Sequence, residues 1–362
     1  LKPAVASRQD FMRFAFDWQH LSAATRMQGA AALDQVLEQL EGFAAVTAAW
    51  EDQLLADRLK DYSPRWLEDP SRCAHFLWAR LAPTAKGGVT LRSAPLAPLP
   101  RVRADLWRTL SAAFDPARLS PRAQRVHAAL AAHGALLFDE LAGTVGLLRI
   151  ELETALQELL ATGLASADSF AGPRALITPP SKLQASSSRR GRGPLIGGMD
   201  DAGYWALLSQ PANPRADGVE QCARALLRRY GVVAAALLER EADGLPSWRE
   251  LLPSLHGLAA RGEIQAGRFV EGLTGEQFAV PRALELLQEV RERPLDASLV
   301  AISASDPLNL LGSLLPGPKV PALPGNRLVF RDGVAAAAII KGKPVYWQTE
   351  DAPLRAKLLR NL

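Results

Sequence analysis

Cysteine is almost missing. The 362 residues hold two, Cys73 and Cys222, far apart and with no CxxC or His/Cys spacing near either. That excludes a disulfide scaffold and a structural zinc site, and it fits a reducing, cytoplasmic location. No apolar run approaches the roughly 20 residues needed to span a bilayer, and no signal-peptide pattern opens the chain, so a membrane partner is not expected. Charge of one sign is also scarce. The 42 basic and 38 acidic residues leave +4, with a pI near 9.2, an excess that cannot by itself establish nucleic-acid binding; local clustering has to decide. A G-x-x-x-x-G-K-[ST] phosphate loop is absent. Gly87-Gly88 and Gly197-Gly198 read as turns, so no cofactor is expected in this chain. Histidine is sparse: His20, His75, His127, His133 and His256 are scattered without H-E-x-x-H spacing, and each reads as structural.

What is present is ordinary globular material, 48% hydrophobic and 22% charged, at a length that predicts two or three domains. The chain starts at Leu1 rather than Met, which predicts a piece of a longer protein. Pro246–Val280 is the most informative stretch. Ser247 and Glu250 form a capping-box pattern, and Leu251, Leu252, Leu255 and Leu258 recur at helical spacing. Arg261-Gly262 closes the helix. Phe269-Val270, the Gly272–Gly275 turn and Gln277–Val280 then predict a hairpin. Helix followed by hairpin is the minimal winged-helix unit. Pro253 predicts a kink or a later helix start.

The rest of the chain repeats that grammar. Ser7–Arg58 reads as helical, with Phe11, Phe14, Trp18 and Leu21 on one face and Leu33, Val36, Leu37 and Leu40 on another. A further helix starts at Trp50-Glu51. Ala74–Trp78 reads as a strand that places Cys73 and His75 on one face for packing, and Ser93–Arg101 as an extended Pro-rich connection. Ser120-Pro121 caps a second unit. Its helix over Leu148–Thr162 occupies the recognition-helix place, and a strand–turn–strand is expected around Phe170-Ala-Gly172. Ser181–Gly198 is a Ser/Arg/Gly linker. Arg189, Arg190 and Arg192 in it suit either a solvated connection or phosphate contact, and the two are compatible. Helices over Gly218–Tyr230 and Ala234–Arg240 lead into Pro246–Val280, and Pro281–Arg291 closes that unit. Strands at Leu299–Ile302, Arg327–Phe330, Val334–Ile340 and Val345–Trp347 predict a small antiparallel sheet or barrel. The expected class is mainly α with β (α+β): a helical/winged-helix module over 1–102, a winged-helix module over 103–180, the linker over 181–198, a winged-helix module over 199–293 and a β-barrel-like module over 294–362.

Several stretches carry a family resemblance: Trp50-Glu51 with Leu54 through Asp61-Tyr-Ser-Pro64, Gly267-Arg-Phe-Val-Glu-Gly-Leu273, Gln277-Phe-Ala279 and Ser303-Ala-Ser-Asp-Pro307. In order and over nearly its whole length, the chain resembles the C-terminal region of the bacterial large helicase-related (Lhr) proteins, superfamily-2 helicases linked to DNA repair. The resemblance implies tandem winged-helix modules, a terminal β-barrel associated with homo-oligomerisation, and an ATP- and Mg-dependent 3'-5' motor upstream of Leu1. The implied partners are single-stranded or duplex DNA and a second copy of the chain. Arg189, Arg190, Arg192, Arg261 and Arg268 are the candidate phosphate contacts.

The same array resembles AlkZ-type DNA glycosylases, and uracil-DNA glycosylase activity is associated with the Lhr C-terminal region. The AlkZ type uses Gln-x-Gln or Gln-x-Asp, and neither occurs here. The nearest are Gln39-Leu-Glu41, with Gln39 expected on a solvated helix face, and Gln348-Thr-Glu350, followed by Asp351 as a helix cap. No catalytic residue is assigned. A purely structural assembly module is the third reading. The eight tryptophans read as core, with Trp248 and Trp347 able to stack on a base where exposed.

Overall fold

The computed structural model describes residues 5–81, 94–111, 114–178, 199, 202–208, 214–347, 355 and 360. It is an α+β chain in which one helix–strand–helix–helix–hairpin order recurs three times.

The first unit begins with α1 (Arg8–Trp18) and α2 (Ala31–Gln39). Strand β1 (Ala45–Val46) and a π-helix, Trp50–Leu55, follow. Next come α3 (Pro70–His75) and the strands β2 (Phe76–Ala79) and β3 (Pro95–Pro100). Asp69 caps α3 by accepting from Ser71 N, with Pro70 at the first helical position. The strand therefore starts at Phe76 rather than Ala74, and Cys73 and His75 are helical.

The Pro-rich segment is a true strand rather than an open connection. Antiparallel register places Leu77 opposite Leu99 and Trp78 opposite Pro98. β2 is buried on both faces: Phe76 and Trp78 enter one core, Leu77 and Ala79 another. A strand covered on both sides shows no apolar/polar alternation. Helix α4 (Ala104–Arg108) leads onward.

The second unit has α5 (Pro121–His133), β4 (Leu136–Leu137), α6 (Phe138–Val145), α7 (Arg149–Ala161) and β5 (Ala165–Ala167). The expected turn around Phe170 is instead a helix, α8 (Ala171–Ile177). The partner of β5 is β6 (Tyr204–Leu207), which pairs with both β5 and β4. Residues 168–203 thus lie between two paired strands of one hairpin. In sequence, the stretch expected to separate two modules falls between these paired strands; 181–198 itself lies outside the described residues. Trp78 opposite Ala167 joins β2 to β5, so the first two units share a six-stranded sheet.

The third unit has α9 (Arg215–Tyr230), β7 (Val232–Val233), a 3-10 turn at Ala235–Arg240, α10 (Trp248–Ala260), β8 (Gln265–Gly267), β9 (Gln277–Ala279) and α11 (Pro281–Glu292). Its sheet order is β8-β9-β7, as a winged helix requires. Pro253 sits inside α10 without delaying its start.

The chain ends in an antiparallel meander of β10 (Leu299–Ser303), β11 (Arg327–Arg331), β12 (Val334–Ile340) and β13 (Lys343–Tyr346). Among the described residues β10 and β13 are its two edges, so the β-barrel expectation becomes an open sheet. Val300, Ile302, Leu328 and Phe330 face the core that α1, α9, α10 and α11 share.

Candidate nucleic-acid interface

Helix α10 and its hairpin form the most complete helix-and-wing surface among the described residues. Ser247 Oγ accepts from Glu250 N while Glu250 Oε2 accepts from Ser247 N at 2.9 Å, closing the capping box. At the other end Gly262, at φ +77, ends the helix. Gly262 N donates to Ala259 O at 3.0 Å and Glu263 N to Leu258 O at 3.1 Å, the paired bonds of a Schellman stop. Leu251, Leu255 and Leu258 face inward.

The wing loop is shaped from inside by Gln277, which is fully buried. Its amide oxygen accepts from Phe269 N (2.8 Å) and Val270 N (2.9 Å); its nitrogen donates to Val270 O (2.9 Å) and Leu273 O (3.1 Å). The Gly-Arg-Phe-Val-Glu-Gly-Leu and Gln-Phe-Ala segments are thus two halves of one loop scaffold.

The arginines on this surface divide into two kinds. Arg261 lies 2.7 Å from Glu263 and 2.9 Å from Glu220, and Arg224 lies 2.7 Å from Glu263 and 2.9 Å from Glu220. Hydrogen bonds from Arg224 and Arg261 hold the Glu263 carboxyl down at about 2. Two arginines on two carboxylates balance in charge, so Arg261, expected as a phosphate contact, is half-exposed and paired within the protein.

Arg268 is exposed and, among the described residues, forms no hydrogen bond or ion pair. Arg249, on the outer face of α10, is in the same state. It was missed in the sequence because it sits inside the capping box, where the cap dominates the reading. His256 completes this face, 3.1 Å from Glu276.

The recognition-helix place in the second unit is filled differently. Leu152, Leu156, Leu159 and Leu160 of α7 are buried. At its start Leu148 and Ile150 are 74% and 76% exposed. Its carboxylates are taken by Arg122–Glu151 (2.7 Å) and Arg149–Glu153 (3.4 Å). The exposed side chains on either side of Arg149 are aliphatic and offer no donors to a base edge. Arg189, Arg190 and Arg192 lie outside the described residues.

The Gln/Glu pairs considered for glycosylase chemistry are also placed in part. Gln39 is buried, not solvated, and donates to Trp18 O at 2.7 Å. Glu41 is fully buried and accepts from Trp107 Nε1 (2.8 Å), Gln221 Nε2 (2.8 Å), Arg103 Nη2 (2.9 Å) and Arg228 Nη1 (2.8 Å). A carboxylate so enclosed ties α2 to α4 and α9 and has no face for a water. Gln348, Glu350 and Asp351 lie outside the described residues.

Glu51 is half-buried, and burial pushes its carboxyl up. Both its oxygens are held by Arg174 at 2.6 and 2.7 Å. Cys73 Sγ packs toward Leu67 O at 3.5 Å, with burial pushing the thiol up to about 11, so it is no nucleophile. Trp248 and Trp347 are partly buried against the core. Among the described residues no cluster of three or more metal-ligating side chains occurs, and no helix is long and apolar enough to cross a membrane.

Comparison with known proteins supplies the wider frame. Residues 6–94 and 212–299 match family models described as "Large helicase-related protein, winged-helix domain", for the third and fourth such domains. The chain is 29% identical over 373 residues to the Escherichia coli "Lhr helicase/uracil glycosylase". It is 28% identical over 357 residues to the Mycolicibacterium smegmatis "Lhr helicase/ probable uracil glycosylase". Each alignment covers 92% of this chain but only 23% and 22% of the relative, so the chain spans under a quarter of their length.

Proposed function

The chain belongs to the large helicase-related (Lhr) family, and we propose that it is a DNA-binding and self-associating winged-helix region that serves a motor elsewhere in the polypeptide. The observation that carries the DNA half is the contrast on the α10–wing surface. Arg261 is neutralised, whereas Arg249 and Arg268 are exposed with no partner among the described residues. Cations left in that state are the groups that exchange counterions for phosphates. The self-association half is supported by Leu148 and Ile150, an exposed aliphatic pair where a DNA-reading helix would carry polar donors.

Fluorescence anisotropy with labelled single-stranded and duplex oligonucleotides, across 50–200 mM salt, tests the first half. Arg268→Gln is expected to lower the slope of log K against log salt by about 0.9 on duplex and about 0.7 on single strands, the share of one phosphate, while Arg261→Gln leaves it unchanged. Equal behaviour of the two variants rejects the assignment. Light scattering of Leu148→Ser/Ile150→Ser tests the second half; an unchanged mass rejects that face.

A second reading is base excision, favoured by the uracil glycosylase wording in the names of both relatives. It requires ATP-independent release of uracil from a uracil-containing strand by the purified chain. Loss of that release in Glu350→Gln or Asp351→Asn would locate the carboxylate beyond the last strand.

A further inference from the structure

Arg8 is an arginine that the sequence did not single out, and its surroundings are unusual. The segment ahead of α1 runs beside the wing of the third unit as a short parallel bridge, Ala6 opposite Val270. Ala6 N donates to Phe269 O at 2.8 Å, and Glu271 N donates to Ala6 O at 2.8 Å. Two residues on, the chain turns into α1 at Arg8, whose side chain reaches Gly272. Gly272 has φ +78, and a Cβ there would overlap the Arg8 guanidinium at Nε, Cζ and Nη2. The side chain therefore lies against the wing turn, whose positive φ favours glycine.

Arg8 is exposed and, among the described residues, makes no hydrogen bond or ion pair. Other arginines of α1 and the α9–α10 surface are differently placed. Arg13 is held by Asp10 and by the carbonyls of Arg293 and Pro294. Arg224 and Arg261 are held by Glu220 and Glu263. Glu271, whose backbone N–H bonds Ala6 O, is exposed and forms no ion pair among the described residues.

We propose that Arg8 is a phosphate contact for DNA, and that with Arg268 it makes the wing a composite surface built by the segment leading into α1 and the hairpin of the third unit. The proposal rests on the reading that this wing meets DNA. A guanidinium presents a planar fork of donors that fits the two non-bridging oxygens of a phosphodiester. Arg268 and Arg8 flank the Ala6–Val270 bridge, two residues before it on one strand and two after it on the other. Each is attached to a segment fixed by that bridge, so the pair is held in place before DNA arrives. Glu271 opposes an incoming phosphate and sets the sign of one control.

The test is anisotropy with the same oligonucleotides, using the whole chain. Arg8→Gln is expected to lower the salt slope by about 0.9 on duplex and about 0.7 on single strands, Arg8→Lys to keep it, and Glu271→Gln to tighten binding. The exposed position predicts unchanged thermal melting for all three, which separates lost contact from lost fold. If Arg268→Gln weakens binding while Arg8→Gln keeps wild-type affinity and slope, Arg8 is no contact and the wing reading survives alone. If neither variant changes binding, or the chain shows no salt-dependent binding, the wing reading falls and this proposal with it.

Discussion

Arg58 and Asp306 are 248 residues apart in the chain, yet Arg58 Nη1 lies 2.7 Å from Asp306 Oδ2 with both side chains fully buried. Arg58 follows the Trp50-Glu51 stretch, and Asp306 belongs to Ser303-Ala-Ser-Asp-Pro307, so two of the stretches that mark the family meet here. Arg58 Nη2 also donates to Gln19 Oε1 at 2.6 Å, and Gln19 Nε2 donates to Arg229 O at 2.9 Å. Asp306 Oδ1 accepts from Leu308 N at 2.9 Å, fixing the turn that presents it. One buried charge pair thus ties α1, the first unit, α9 and the terminal sheet together.

Removing one partner of that pair strands the other in a dry site, which costs about 3–5 kcal/mol. Arg58→Met and Asp306→Leu are each expected to be destabilised on that scale. The double variant should be less destabilised than the sum of the two, because it leaves no orphan charge. Urea unfolding of the four proteins measures this. Strict additivity would mean that the two side chains do not interact energetically.

The legible part of the fold was the part governed by local rules. The capping box at Ser247 and Glu250, the glycine stop at Gly262 and the helix–hairpin order of the third unit follow from short-range chemistry, and the structure has them. What was not legible depended on distant neighbours. Pro95–Pro100 resembles an open connection until it is paired with β2 and covered on both faces. Phe170-Ala-Gly172 resembles a turn, but Gly172 lies against Trp205 and Ala167 inside a helix. Arg261 and Arg268 look equivalent in sequence. Glu263, two residues after Arg261, and Glu220, 41 residues before it, are what separate them.

Gln277 makes a second prediction. Its amide satisfies four backbone groups of the wing loop from a fully buried position. Gln277→Leu keeps the volume but leaves those groups unpaired, at about 1–3 kcal/mol per unsatisfied group before the loop relaxes. The expected result is local loosening: faster amide exchange at Phe269 and Val270, with slower-exchanging amides of α9 little changed. Protection retained at both amides would show that the loop does not depend on Gln277.

Glu263 predicts the acid response of the α9–α10 surface. Arg224 and Arg261 hold its carboxyl at about 2 against an ordinary value of 4.5. A lowered folded-state value means that the unfolded chain binds the proton more readily. Its contribution is therefore complete above about pH 4.5 and disappears as pH falls toward 2. Glu263→Gln should be less stable than wild type at pH 7 and equal to it near pH 2, read by denaturant unfolding across that interval. A difference independent of pH would remove the ion pairs as its cause.

Gly231 sits where the proposed DNA surface depends on the fit between units. It ends α9 at φ +69, and its carbonyl accepts from Val280 N at 3.1 Å. A Cβ there would meet Phe14 Cζ at 2.8 Å and Ala283 Cβ at 2.9 Å, with Trp18 Cε2 at 3.1 Å. Gly231→Ala therefore incurs the backbone cost of φ +69 with ψ −45, a conformation outside the left-handed helical basin that favours glycine, and an overpacking cost of about 1–3 kcal/mol. Gly262→Ala, at φ +77 with nothing within 4 Å of the added carbon, should show a positive-φ backbone cost with no overpacking. The excess in Gly231→Ala combines its own backbone cost with the seating of α1 on α9 and α11. Because α1 carries Arg8, unseating it should also weaken DNA binding to the extent that Arg8→Gln does, whereas Gly262→Ala should not. Gly231→Ala melting at the temperature of Gly262→Ala would mean that α1 yields to the added methyl without cost, and that its position does not set the geometry of the wing.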